Sequence, residues 1–501
     1  MQKAYKFFMV FVTSCALSVF LFCAKPQEIE KITILHWNDF HASALPHQVS
    51  DDDEGLRMVS GSAYFSAYLD SLKAKNENVI LVCAGDEVVG TPMSTLSKGR
   101  VEFEILNMIG PDVFELGNHE FDFGLENLNQ LIKLAQFPII CANVIHQESG
   151  HTLVPSYLIL EKGKAKVAFI GVNTEALKEV VVEEATEGLE IGKARETLEA
   201  LLPDLEKKSD IQVLVSHMGF NEDKRIAREV KGIEVIIGGH SHTRLLKPEV
   251  INQTIICQAG SNGRYIGRLN LVVDIKKDRV VNYEGGLIET VNDKVTPDSK
   301  VQTRINEFEE TYGKVLDQVI GQLKTSWTRT SGESNLGNWT ADVMREYTGS
   351  DVAFVNSGAL RKDLPEGPVT VRDIWEINPF SDRFVSFDLS GEELLNVLEI
   401  NSSGDYELMQ VSGLTYTYDP EKPKGQKVVR VLVHGQPLVA EKKYKVTIND
   451  YMLGHSDKFL GIAKEDLKYE IHPGLDRDVY IQAVKDQKVI HSKIEGRIKG
   501  K

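Results

Sequence analysis

The sequence predicts a chain of two domains, an N-terminal layered α/β domain followed by a C-terminal α+β domain. Three observations carry that expectation. The chain has 501 residues, more than one hydrophobic core ordinarily organises. From about residue 30 to residue 290, short apolar runs alternate with amphipathic stretches such as 60–75, 125–135 and 194–207, the pattern of a sheet with helices packed on it. Beyond residue 326, strand-like and helical stretches mix without regular alternation, which fits α+β.

The elements follow in order. Lys3 and Lys6 precede an almost wholly apolar run over 7–24, which Lys25-Pro26 closes. This is the form of a secretory signal, assigned to residues 1–23. Cys23 at its end suggests a lipoprotein-type signal and a lipid anchor in the membrane, although Phe22 stands where a small residue is usual. Export to the periplasm or cell envelope is the expected localisation. Residues 28–290 form the first domain, and 291–325 a linker whose helix carries Val301, Ile305, Phe308, Tyr312 and Val315 on one stripe. The second domain, 326–497, opens with a helix bearing Leu336, Trp339, Val343 and Tyr347 and stopping near Gly349. Strands are expected at 352–355, 384–389 and 444–448, with a hairpin over 428–439 turning at His434-Gly435.

Composition excludes some classes of function. A net charge of −16 disfavours a nucleic-acid polymer as partner, because phosphate backbones need basic surfaces. It does not disfavour a small phosphate ester held by bound cations, which dominate the local field. Cys83, Cys141 and Cys257 each lie in an apolar run, so buried thiols are expected rather than a disulfide framework or a thiolate metal site. No obligate protein partner is evident.

The chemistry is concentrated at strand ends. Five apolar runs end in metal-ligand side chains: Asn38-Asp39-Phe40-His41, Gly85-Asp86-Glu87, Gly117-Asn118-His119-Glu120-Phe121-Asp122, Ser216-His217 and Gly238-Gly239-His240-Ser241-His242. Open α/β folds place active sites beyond the carboxyl ends of their strands. A single Asp or His there has bland readings, a helix cap or a structural imidazole, but the repetition does not. Asp39 and His41 can reach one ion from a single turn, Asp86 is the natural bridge, Asn118 offers a neutral oxygen, and His217, His240 and His242 add imidazoles. A set of O and N ligands suits two divalent ions, Zn, Mn, Co or Fe, without choosing among them. His119 with Asp122 three residues on has the form of an oriented general acid. The nucleophile expected is a hydroxide generated on the metals. Together these features imply a metal-dependent hydrolase.

The same motifs resemble the calcineurin-like metallophosphoesterases, and within them the 5′-nucleotidase and UDP-sugar hydrolase family. The resemblance covers nearly all of the chain after the signal, in the family's order. It implies a four-layer αββα sandwich for the first domain and a nucleotide-binding second domain. It implies that Asp39, His41, Asp86 and His242 hold one metal, and that Asp86, Asn118, His217 and His240 hold the other. It also implies that His119 and Asp122 are the catalytic pair. In the second domain, Glu333-Ser334-Asn335-Leu336-Gly337-Asn338, Asn356-Ser357-Gly358-Ala359-Leu360-Arg361, Asn378-Pro379-Phe380 and Gln410-Val411-Ser412-Gly413 resemble the family's signatures. By that likeness Phe380 and Phe459 would sandwich a base, and Asn356 and Arg361 would make polar contacts to substrate. The loop 449–459 departs from the family pattern: His455-Ser456 replaces a Gly pair and Lys458 a Gly. The implied activity is hydrolysis of nucleoside 5′-phosphates. UDP-sugars, 2′,3′-cyclic nucleotides or another phosphate or sulfur ester are the alternative substrates.

Overall fold

A computed structural model describes residues 28–51, 55–181, 183–380, 382–405 and 408–501. The signal segment expected over 1–23 lies outside the described residues.

Two six-stranded sheets build the N-terminal half. The first runs, edge to edge, Arg279–Glu289, Tyr265–Asp274, Ile29–Trp37, Val79–Cys83, Val113–Glu115, Ile139–Ile140. The second runs Glu249–Ile251, Thr254–Cys257, Val235–Gly238, Ile211–His217, Ala165–Asn173, Tyr157–Lys162. Alternation along the strands decides which side chain enters which layer. Ile32, Ile34, Ile80 and Val82 of the first sheet meet Val167, Phe169, Val213, Val215, Val235 and Ile237 of the second in one buried cluster. Their neighbours Leu35, Trp37, Leu81 and Cys83 point the other way, onto Phe65, Leu69, Phe103 and Leu106 of the flanking helices. Ile170, Leu214 and Ile236 likewise back onto Leu198, Leu202 and Ile226. The result is the expected αββα order of layers. Each of these fully buried aliphatic side chains stabilises the fold by roughly 1.5–3 kcal/mol. A charge at Val213, which has no exposed surface, would leave an unpaired ion between the sheets and break the sandwich.

The central strands are parallel within each sheet. Ile29–Trp37, Val79–Cys83 and Val113–Glu115 share one direction, and Ala165–Asn173, Ile211–His217 and Val235–Gly238 another set. Their carboxyl ends therefore gather at one rim of the sandwich. Cys83, Cys141 and Cys257 are free and buried.

The C-terminal half centres on a mixed five-stranded sheet ordered Gln410–Ser412, Val352–Val355, Lys443–Asn449, Phe384–Ser390, Tyr469–Ile471. The helix Asn335–Thr348 starts where the Ser334 side chain accepts from Gly337 N and stops at Gly349 in the left-handed region, φ 60°. The hairpin forms with its strand Val428–Val433. His434 and Gly435 both have positive φ, 49° and 77°, as a two-residue type I′ turn requires. The strand Val319–Leu323, inside the stretch read as linker, pairs with Gly367–Thr370 and Val489–Ile490 and so belongs to this half.

The helix Ser299–Leu316 joins the halves. The Asp298 side chain caps it, accepting from Lys300 N at 2.8 Å. Arg304 on this helix pairs with Glu104 of the first half at 2.7 Å, and Glu309 with Arg372 of the second. One apolar cluster runs without a break from Phe103 and Leu128 to Trp327, Leu336 and Tyr480. The two halves thus enclose a common cleft, and the rim of strand ends faces it.

Candidate metal centre and substrate cavity

Five strand ends deliver the polar side chains, and backbone hydrogen bonds lock their loops together. Asp39 N donates to Gly85 O at 2.9 Å, and His41 N to Asp86 O at 3.0 Å. Asp39, His41, Asp86, His240 and His242 all have φ between 50° and 72°. That left-handed region is unfavourable for side chains other than glycine, and clusters of such residues mark sites where surrounding contacts outweigh local preference. Gly117 has a simpler reason to be glycine: a Cβ there would lie 2.1 Å from Asp86 Oδ1.

The donor atoms converge in overlapping groups. Atoms of Asp39, His41 and His242 lie within 4.8 Å of one another, as do those of Asp86, His217 and His240, and those of His41, Asp86 and His119. His41 Nε2 and His242 Nε2 are 2.9 Å apart, and His242 Nε2 is 3.4 Å from Asp39 Oδ1. His217 Nε2 is 3.1 Å from Asp86 Oδ2, and His240 Nδ1 is 2.8 Å from Asn118 Oδ1. Asn118, buried, joins the second group through that contact. All seven residues read as ligands from the sequence thus meet at one place.

The donor set fits divalent metals. His217 Nδ1 donates to Ala84 O at 2.5 Å, which leaves Nε2 with its lone pair turned toward Asp86. That nitrogen is buried against the Asp86 carboxylate, 3.1 Å from Oδ2, a nitrogen–oxygen pair that a cation held between them satisfies. Burial, reinforced by His242, holds His41 well below the usual histidine range. Burial, with His217 nearby, brings His240 down to about 4. Both are therefore neutral imidazoles, the form that binds metal. Burial would lower His217 too, but Asp86 and Asp39 overcome it and push it up to about 10. The centre thus demands positive charge, which divalent cations supply in place of protons.

His119 stands at the edge of this group. Its Nδ1 is 2.6 Å from Asp122 Oδ2, which orients the ring, and its Nε2 is 3.9 Å from Asp86 Oδ2. Burial lowers its pKa, but Asp122 and then Asp86 outweigh that and hold it above the ordinary histidine value.

The structure also identifies supporting residues that the sequence reading passed over. Glu120 accepts from Gly117 N at 2.6 Å, Asp86 N at 3.0 Å and Glu87 N at 2.8 Å, tying two ligand loops together. Asn38 Oδ1 accepts from Ala259 N, and Asn38 Nδ2 donates to Asp39 Oδ2 at 2.5 Å. Gln258 Nε2 donates to Gly239 O at 2.5 Å. Glu120 and Asn38 sit within motifs and Gln258 does not, and only the fold reveals which backbone groups each reaches.

A cavity of about 560 Å³ opens in front of the centre. Asp86, Asn118, His119, His240 and His242 form one wall, and Asn356, Arg361, Phe380 and Tyr451 line the other. The Phe380 ring stacks toward His119, with centroids 6.3 Å apart at 30°, and Arg361 Cζ lies 5.9 Å from the same ring. Asn356 Oδ1 accepts from Asn449 Nδ2 at 3.3 Å. Phe459 is not among the residues lining the cavity. It packs against the second core, and its ring lies 6.1 Å from that of Tyr451. Tyr451 occupies the cavity side of that loop, backed by His455 at 4.6 Å between ring centroids. An aromatic eight residues before Phe459 in the same loop was the available signal.

Comparison with known proteins agrees with this geometry. Residues 32–244 match the model of the calcineurin-like phosphoesterases, and residues 319–464 that of the 5′-nucleotidase C-terminal domain. The snake venom 5′-nucleotidase of Gloydius brevicauda is 29% identical, over 93% of this chain and 88% of its own length. Endonuclease YhcR of Bacillus subtilis is 28% identical over 95% of this chain, but this chain spans 41% of that protein's length. Among solved structures, a 5′-nucleotidase precursor from Thermus thermophilus matches with a TM-score of 0.87 at 28% identity, covering 94% of this chain and 99% of that one.

Proposed function

We propose, for a chain that belongs to the calcineurin-like phosphoesterases with a 5′-nucleotidase C-terminal domain, that its substrate is a nucleoside 5′-phosphate, cleaved to nucleoside and phosphate. That it is a metal-dependent phosphoester hydrolase follows from the family. The substrate is inferred from one observation above all. A single cavity faces the donor set on one side and an Arg, an Asn and two aromatic rings on the other. Arg361 suits phosphate because a guanidinium pairs with its oxygens in fixed geometry. Phe380 and Tyr451 offer π-faces to a base, a mode that binds any base.

We assign Asp39, His41, Asp86 and His242 to one metal, and Asp86, Asn118, His217 and His240 to the other. When bound, such a pair supplies an activated nucleophile and neutralises charge on the phosphoryl oxygens. The chain's own residues do the rest. Arg361 and Asn356 hold the substrate across the cleft. Protonated His119, kept in that state by Asp122 and Asp86, gives its Nε2 proton to the leaving 5′ oxygen as the P–O bond breaks. The neutral imidazole then takes a new proton from solvent, and Asp122 stabilises the imidazolium so regenerated.

The leader read over residues 1–23 supports export, with Cys23 as the attachment point for a lipid. Among the described residues no helix is long and apolar enough to cross a membrane. The test is phosphate release from AMP by the purified protein with Zn²⁺, Mn²⁺ and Co²⁺ in turn, set beside the His119→Ala variant. We expect release that falls by ~10²-fold or more in the variant. Hydrolysis of bis-p-nitrophenyl phosphate without any release from AMP would overturn the nucleotide assignment and leave the bimetallic centre standing.

A further inference from the structure

The loop that carries Phe380 is anchored by two adjacent buried polar residues with no part in the chemistry above. Asp476 and Arg477 open the helix Asp476–Gln487 and are 2% and 3% exposed. Asn378 Nδ2 donates to Asp476 Oδ2 at 2.5 Å, Arg477 Nη1 donates to Phe380 O at 3.0 Å, and Asp476 N donates to Asp382 O at 2.8 Å. Two adjacent residues thus hold the loop before, at and after Phe380. The Arg477 guanidinium also stacks on Trp375, Cζ 3.7 Å from the ring centroid, and Trp375 belongs to the helix Val371–Ile377 that leads into the loop. From the other half of the molecule, Thr95 Oγ1 donates to Pro379 O at 3.2 Å.

This arrangement is a costly way to stabilise a fold. A guanidinium is buried, and its Nε has no hydrogen-bond partner among the described residues; an apolar side chain of similar size would avoid that desolvation. What the charge does achieve is directional. A hydrogen bond to the Phe380 carbonyl fixes the orientation of that peptide, and with it the direction in which the Phe380 side chain leaves the backbone. That direction sends the ring into the cavity opposite His119.

We propose that Arg477, set in place by Asp476, is a positioning residue for substrate binding, which presents the Phe380 ring to the base of a bound nucleotide. The proposal rests on the reading of the substrate as a nucleoside phosphate. Its test compares AMP with ribose 5-phosphate, which keeps the sugar and phosphate and lacks the base. Arg477→Met should raise KM for AMP by ~10-fold, within the range of one lost stacking contact. It should leave kcat for AMP, and both constants for ribose 5-phosphate, within about 2-fold of wild type. In a Phe380→Ala background the same substitution should add nothing, because both changes act through one ring. Arg477→Lys, which retains a donor, should recover part of the loss.

Equal losses with both substrates, or additive effects in the double variant, would overturn the positioning role. If Arg477→Met does not fold, Asn378→Ala removes the anchor on the other side of the ring and must show the same selectivity for AMP. Failure of the wild-type protein to turn over AMP, with ribose 5-phosphate hydrolysed, would bring down the nucleotide reading and this proposal with it. Turnover of AMP by wild type with unselective variants would bring down the positioning role alone.

Discussion

The two walls of the cavity are built in opposite ways. The wall of metal ligands stands on the ends of parallel strands, and its loops are stitched to one another: Asp39 to Gly85, His41 to Asp86, and Glu120 to three backbone amides. The facing wall hangs on loops of the C-terminal half. There each functional residue is set by its own local anchor, Phe380 by Arg477 and Asn356 by Asn449. Chemistry that needs several donor atoms within a few ångströms is therefore built where the scaffold over-determines position. Recognition of the base is built on loops, each held by contacts of its own. A change in the first wall should lower kcat for every ester, and a change in the second should leave the metals in place and weaken substrate binding.

The largest effect should come from the first wall. Asp86 belongs to two of the three donor groups, so Asp86→Asn should lower kcat for AMP and for a base-free ester together, by ~10³-fold or more if the residue bridges the ions. Metal content measured on the same protein should fall with it. A variant that kept both metals and lost only AMP hydrolysis would break the distinction between the walls.

An intermediate effect is expected at Arg361→Met. Loss of a charge-assisted contact to phosphate, about 1.5–3 kcal/mol, corresponds to a rise in KM of ~10–150-fold. Metal content should remain at the wild-type level, which steady-state kinetics and elemental analysis on one preparation will check.

The smallest effect concerns the scaffold beneath the first wall. Glu102 and Glu87 line a small void of about 10 Å³ behind the ligand loops. Burial pushes the Glu102 carboxyl up to about 7 from 4.5, and its Oε1 has no hydrogen-bond partner among the described residues. A raised folded pKa favours the protonated form, so this group's contribution is fully present below pH 4.5 and is lost as the pH rises through about 7. Glu102→Gln should therefore flatten the decline of stability across that window. At pH 8 it should make the protein more stable by ~1–3 kcal/mol, read as a higher melting temperature. Equal pH profiles for the two proteins would show that Glu102 is solvated in the native state.

Much of this was legible in the sequence, and the parts that were not share a cause. The layered first domain could be read because alternation and helical periodicity are local: Ile32 and Ile34 enter one core and Leu35 and Trp37 another by parity alone. The turn at His434-Gly435 and the helix stop at Gly349 were legible for the same reason. That the seven candidate ligands and the His119–Asp122 pair would come together could be read because each lies just past an apolar run, and strand ends in such sheets converge. That Tyr451 faces the cavity could not be read, because Tyr451 and Phe459 are both aromatics in one loop and only the packing of that loop places each ring. Glu120 and Arg477 could not be read either, since their hydrogen bonds reach residues 33 and 97 positions away.

The sequence by itself determined which atoms this protein brings to its chemistry: two buried carboxylates, an Asn oxygen, the imidazoles and the guanidinium. Side-chain type and strand-end placement are properties of short segments. Tertiary structure decided where those atoms point. Asp39, His41, Asp86, His240 and His242 are held in a left-handed backbone that none of them prefers, because hydrogen bonds from distant loops and the tight approach of Gly117 to Asp86 leave no other path. Conformations that oppose local preference are set by contacts far apart in the chain, and those exist only once the strands that carry these loops have assembled.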